Sequence, residues 1–225
     1  MIILNSTANP TGGVNNQNEI EKLLNFIEKY PDLYILSDEI YDRLIFDKKP
    51  TSLLSYENIR DKLIVLNGWS KTYAMTGWRI GYGIWPKKLI EFADKLAVNY
   101  HSWVNEVTQY AAIAALNGDQ SSVNNMRDAF IRRSKLITNL INDIDLLSCQ
   151  NSKGAFYNFV NIKKTKMTSL NFQNKALEKF GVACIAGTSF GKFGEGFVRF
   201  SCANSDNNIK LAMKRVSEML QMIKN

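Results

Sequence analysis

Six residues of this chain have side chains and surroundings suited to chemistry: Asn9, Asp38, Tyr41, Lys71, Arg79 and Arg199. Lys71 is the most informative. It sits in Ser70-Lys71-Thr72-Tyr73-Ala74-Met75-Thr76-Gly77-Trp78-Arg79, and no other charged residue lies between Lys62 and Arg79. Burying an ammonium in such apolar surroundings is costly and lowers its pKa. The neutral amine so favoured attacks carbonyl groups, which is Schiff-base chemistry. A surface lysine on a loop is the ordinary alternative. Asp38 and Tyr41 are three apart, so one helical turn would put them on one side. Asp38 could equally be a helix cap. Asn9 offers an amide at Asn9-Pro10-Thr11-Gly12, where proline and glycine fix a tight turn. Arg199 lies in Phe197-Val198-Arg199-Phe200-Ser201, as an anion ligand or a structural ion-pair partner. Singly each motif is weak; their conjunction and order carry the signal.

The elements that must position these residues follow from periodicity. Apolar runs at 2–4, 33–36, 62–66 and 78–84 read as strands, with a helix over Glu19–Tyr30 stopped by Pro31. This alternation predicts a mainly parallel sheet covered by helices. Helical patterns continue over 86–99 and 105–116, and a long one over 119–144. Strands are expected at 155–160, 182–185 and 197–202, with helices at 170–180 and 206–223. The fold class is therefore α/β, with a first domain over 1–118 and a smaller α+β domain over 119–225. In open α/β folds the site gathers at the carboxyl ends of strands, where the first three loop motifs fall.

Composition narrows the function classes. The 225 residues are 45% hydrophobic, enough for a sizeable core, and carry a formal charge of +7. The basic residues are spread along the chain, which favours a solvated surface or a small anionic ligand over nucleic acid. No apolar run approaches the ~18 residues of a membrane span, and the start lacks the pattern of a signal peptide. Cys149, Cys184 and Cys202 have no disulfide or zinc spacing and read as buried thiols of a reducing, cytoplasmic protein; no metal site is expected. His101, Trp69 and Trp78 read as structural or packing residues.

The segments NPTGG (9–13), LSDEIYDRLIF (36–46), NGWSKTYAMTGWRIGYG (67–83), GAFY (154–157) and GTSFGKFGEGFVRFSCA (187–203) closely resemble the class I aminotransferases of fold type I. These are the aspartate aminotransferase-like enzymes that use pyridoxal 5′-phosphate. The resemblance implies that Lys71 holds the cofactor as a Schiff base and moves the substrate proton. It implies that Asp38 pairs with the pyridine nitrogen and keeps the ring an electron sink. Tyr41 and Asn9 would bond the cofactor's 3′ oxygen, and Arg79 and Ser70 its phosphate. Where some members carry a serine three residues before the lysine, this chain has Gly68. Arg199 would clamp the substrate α-carboxylate in a bidentate fork, for which lysine substitutes poorly, and Asn9 would also bind the substrate.

By the same resemblance, an amino group passes between an amino acid, aspartate as first guess, and a 2-oxo acid, in a homodimer. Only the C-terminal part of the family pattern is matched. The glycine-containing phosphate loop, the ring stacked on the cofactor and a tyrosine reaching the partner subunit belong to the unmatched part. The 225 residues alone are therefore expected to bind the cofactor weakly and not to turn over, with an exposed sheet edge and apolar face. Two other readings stay open: a PLP-dependent lyase of this fold, and the aminotransferase-like effector domain of a transcription regulator.

Overall fold

The structure is a computed structural model that describes residues 1–47 and 51–224. Ile2–Asn5 (β1), Ile35–Asp38 (β2) and Leu63–Gly68 (β3) run parallel, and Gly81–Ile84 (β4) pairs antiparallel to β3, in the order β1-β2-β3-β4. The sheet is mainly parallel, as expected. The link into β4 holds only the four-residue helix α2, Trp69–Thr72, and one 3₁₀ turn. It has no helix to cover a parallel crossover, so the strand returns antiparallel.

Helix α1 (Gln17–Ile27) starts earlier than its apolar period suggested, because Asn16 caps it. The Asn16 side chain accepts from the Glu19 amide at 3.0 Å, and the Glu19 carboxylate accepts from the Asn16 amide at 2.8 Å, a reciprocal box that satisfies two end donors. It stops at Ile27, four residues before Pro31, where the backbone tightens into three-residue bonds from Lys29 to Phe26 and Tyr30 to Ile27. Ile20, Leu24 and Ile27 form a core with Ile35, Leu53, Ile59, Leu63 and Val65. Each such side chain contributes roughly 1.5–3 kcal/mol on burial.

Helices α3 (Lys87–His101) and α4 (Glu106–Asn117) follow. Helix α3 has no buried residue: Ile90, Phe92, Leu96, Val98 and Tyr100 are all exposed, as are Val107, Tyr110, Ile113 and Leu116 of α4. His101 is the last residue of α3 and lines a concavity of about 660 Å³ with Trp85, Ile90, Leu96 and Tyr100. It is exposed, not packed. Trp78 is likewise 48% exposed, which corrects its reading as a packing residue.

The chain folds as two units: Met1–Thr7 with Val14–Asn125, and Ala8–Gly13 with the chain from Met126 onward. The Asn9 turn thus belongs with the C-terminal unit although it lies early in the sequence. Helix α5 (Ser121–Asn142) begins in the first unit and continues in the second. In the second unit β5 (Tyr157–Asn161), β6 (Ile185–Ala186) and β7 (Phe197–Ser201) form an antiparallel sheet in the order β5-β7-β6. The expected strand at 182–185 shrinks to two residues because the Val182 amide is spent on closing α6 (Ser169–Phe180), donating to the Ala176 carbonyl at 2.9 Å. Gly181, at φ +62°, makes that turn in the left-handed region.

Alternation along β5 and β7 gives this sheet two unlike faces. Asn158, Val160, Val198 and Phe200 are buried, and α6 packs on β6, β7 and α7 (Asp206–Lys224). Phe172, Ala176, Val216 and Met219 are fully enclosed. The Asn158 amide donates to Thr138 Oγ1 of α5 at 2.9 Å. Cys184 and Cys202 are buried here, and desolvation pushes both thiols up to about 12. Cys149 is only half-buried, contrary to its reading as a buried thiol; desolvation raises it too. Among the described residues, no helix is long and apolar enough to cross a membrane, and no group of three His, Cys, Asp or Glu could hold a metal ion.

Candidate active site

The first unit carries Asp38, Tyr41, Ser70, Lys71 and Arg79; the second carries Asn9 and Arg199. Asp38 ends β2, in register with Asn5 of β1 and Leu66 of β3. The Asn5 Nδ2–H donates to Asp38 Oδ2 at 3.0 Å, and the Ile40 amide donates to Oδ1 at 3.2 Å. Both carboxylate oxygens are therefore engaged, in an order that fixes the plane of the group. Tyr41 is not on a helix. Successive turns, from Asp42 N–H to Glu39 O and Leu44 N–H to Tyr41 O, follow the strand, so the expected helical turn joining Asp38 to Tyr41 is absent and Tyr41 is instead buried in the turn. Glu39 explains why: its buried carboxylate accepts from Ser37 Oγ and the Leu53 amide, each at 3.0 Å, and pins the chain where a helix would begin.

Lys71 lies on α2 directly after β3, half-buried. Two neighbours fix this short helix: the Trp69 indole N–H donates to the Ala112 carbonyl at 3.0 Å, and the Tyr73 hydroxyl donates to Gln120 Oε1 at 3.2 Å. A four-residue helix has little stability of its own; these anchors supply its position. Ser70 and Arg79 come together through Thr76, whose hydroxyl donates to the Ser70 carbonyl at 2.9 Å while its carbonyl accepts from Arg79 Nη1 at 3.1 Å. Arg79 is exposed and sits at φ 55°, a left-handed conformation that a non-glycine residue holds only where its surroundings dictate it. At position 68 a Cβ would meet Gly81 Cα at 2.8 Å and the Ile80 carbonyl at 3.0 Å. The close β3–β4 pairing thus leaves no room for the serine some family members carry there.

In the second unit, Asn9 stands on a turn closed by Gly12 N–H to Ala8 O at 2.8 Å and Ala8 N–H to Gly13 O at 2.9 Å. Gly12 is required there: its φ is +66°, and a Cβ would fall 1.8 Å from Ser152 Oγ. Arg199, on the face of β7 opposite the core, donates from Nη1 to Asn9 Oδ1 at 2.7 Å. Its Cζ lies 4.3 Å from the Tyr157 ring centroid and 4.8 Å from that of Phe190. Its Nε is shielded from water and has no hydrogen-bond partner among the described residues. Among the described residues no acidic group forms an ion pair with it.

Asn5, Thr76, Tyr157 and Phe190 are the residues that sequence reasoning missed. Asn5 depends on the register of β1 against β2, Tyr157 and Phe190 lie on β5 and on a 3₁₀ turn away from Arg199 in sequence, and Thr76 has no signal beyond its place between Ser70 and Arg79.

These features sit on an architecture shared with solved aminotransferases. The aromatic aminotransferase of Pyrococcus horikoshii OT3 superimposes with a TM-score of 0.94 at 36% identity, over 99% of this chain and 60% of that one. The aspartate aminotransferase of Rhizobium meliloti gives 0.92 at 31% identity, over 97% and 57%. The fold is thus that of the fold type I aminotransferases. Residues 1–216 match the aminotransferase class I and II family, and the chain belongs to it. Relatives include the aspartate/prephenate aminotransferase of Nitrosomonas europaea, 37% identical over 98% of this chain and 58% of that protein, and the aspartate aminotransferase of Pyrococcus abyssi, 38% identical over 98% and 57%. The chain spans less than two thirds of the length of these relatives and matches the C-terminal part of the family.

Proposed function

We propose that the chain is the lysine- and arginine-bearing portion of a cytoplasmic, homodimeric transaminase that moves an amino group between an amino acid and a 2-oxo acid. The first unit corresponds to part of the cofactor-binding large domain and the second to the small domain. The donor set fits pyridoxal phosphate: an amine for its aldehyde (Lys71), a doubly bonded carboxylate for its pyridine nitrogen (Asp38), a phenol for its 3′ oxygen (Tyr41), and a guanidinium with a neighbouring hydroxyl for its phosphate (Arg79, Ser70). Asn9 supplies an amide. When bound, the cofactor supplies an aldehyde and an electron-withdrawing ring.

What this chain's residues do follows from their chemistry. Asp38, held by Asn5 and Ile40, would pair with the pyridine nitrogen and favour its protonated form. Lys71 takes and returns a proton at the substrate α-carbon. Arg199 holds the α-carboxylate: Asn9 occupies Nη1, and Nε has no hydrogen-bond partner among the described residues. The unpartnered, water-shielded Nε is the observation that carries this reading, since an unmatched buried donor costs roughly 1–3 kcal/mol that a carboxylate would recover. Aspartate is the amino donor suggested by the named relatives.

Incubation with pyridoxal phosphate, borohydride reduction and peptide mapping test the assignment. The reduced adduct is expected on Lys71 and absent in Lys71→Ala. Adducts scattered over surface lysines, with none on Lys71, would remove the central residue of the proposal.

A further inference from the structure

We infer that Tyr157 and Phe190 are positioning residues that act through Arg199, an aromatic clamp that sets the plane of its guanidinium. The inference rests on the proposed role of Arg199 in carboxylate binding, and the experiment below separates the two.

Arg199 sits on a β-strand face with a register that is fully determined. It pairs with Phe159 of β5 on one side and Ile185 of β6 on the other. Tyr157 lies two residues from Phe159 on the same face, and Phe190 reaches in from the 3₁₀ turn Gly187–Phe190. Both rings lie within 5 Å of the guanidinium carbon, at 4.3 and 4.8 Å. Cation–π attraction acts within about 6 Å of a ring centroid and is strongest where water is excluded.

The clamp is itself supported. Phe190 meets Phe159 edge-on at 6.5 Å between centroids, and Phe159 stacks on Phe197 at 5.0 Å and 8°. Tyr157 packs on Phe156 at 4.6 Å, and Phe156 on Phe130 of α5 at 5.3 Å. Each ring that faces Arg199 is thus backed by another.

The arrangement solves a particular problem. A substrate-binding arginine must be fixed without using up the donors it needs. An acidic partner would fix it, but would compete with the incoming carboxylate. Rings fix the plane through its π faces and consume no N–H, while Asn9 sets the rotation in that plane through Nη1 alone. Nε keeps its N–H without a hydrogen-bond partner among the described residues.

The test uses the 225-residue chain with ¹⁵N-labelled arginine. The Nε–H resonance of Arg199 is identified by its disappearance in Arg199→Lys. Protons over ring faces are shifted upfield, so this resonance is expected upfield of the other arginines. In Phe190→Leu it should move toward them, and in Phe190→Tyr, which keeps the ring, it should return. Titration with pyruvate, which carries a single carboxylate, should show binding weakened about 3- to 10-fold in Phe190→Leu and restored in Phe190→Tyr.

An Arg199 resonance unmoved by Phe190→Leu, or moved equally by Phe190→Leu and Phe190→Tyr, overturns the clamp. If pyruvate leaves the parent resonance untouched while the ring dependence persists, the carboxylate assignment fails and the clamp stands. Phe190 is 38% exposed on its turn, so its replacement spares the core.

Discussion

In the first unit the Asp38 carboxylate is fixed by two N–H donors, the Asn5 amide and the Ile40 backbone. In the second the Arg199 guanidinium is fixed by one amide oxygen and two aromatic rings. The supporting strands differ to match. Asp38 ends a parallel strand, where the last residue of β1, Asn5, lies alongside and lends a side chain. Arg199 sits within an antiparallel strand, where cross-strand and same-face neighbours are close and apolar. A carboxylate has several lone pairs and can accept two bonds without losing its capacity to pair with a cation. A guanidinium that must grip a fork has to keep one whole N–H edge unoccupied, and rings hold it without using any N–H.

This contrast can be broken in graded steps. The largest effect is expected from Arg199→Ala, which should abolish measurable pyruvate binding by the chain. Arg199→Lys retains charge but not the planar fork and should lose about tenfold or more. Next, Asn5→Leu should destabilise the first unit by about 1–3 kcal/mol in urea unfolding, because one Asp38 oxygen loses its donor in a half-buried setting. A double-mutant cycle with Asp38→Ala should return that coupling; additive costs would show that the 3.0 Å contact carries no energy. The smallest effect is expected from Asn9→Ala, roughly 0.5–1.5 kcal/mol from its hydrogen bond to Arg199. Its binding loss should be shallower than that of Phe190→Leu. The reverse ranking would mean that the amide, not the rings, orients the guanidinium.

Much of this was legible in the sequence, and the misses have physical causes. The parallel strands were visible as apolar runs, and the six chemical residues stood out by type and order. The Asn5–Asp38 pair was not, because it depends on register between strands separated by a helix. The helical turn expected at Asp38–Tyr41 failed because buried Glu39 ties the chain to Leu53 and Ser37. Periodicity cannot register such a long-range polar bond. The antiparallel turn of β4 was hidden for a related reason: nothing in Gly81–Ile84 itself states its direction, which the short link decides. Arg199 was found by its isolation among apolar residues, yet the rings around it belong to segments separated from it in sequence.

The two enclosed thiols of the second unit make it self-reporting. With Cys184 and Cys202 pushed up to about 12 by burial, only on the order of 10⁻⁵ of either is thiolate at neutral pH. Both side chains are also closed to solvent. An alkylating reagent can therefore mark them only in molecules that have opened. Timed exposure followed by mass spectrometry would count those openings, giving the local unfolding equilibrium of the Arg199 sheet without any engineered probe. Half-buried Cys149, labelled sooner, supplies the internal clock.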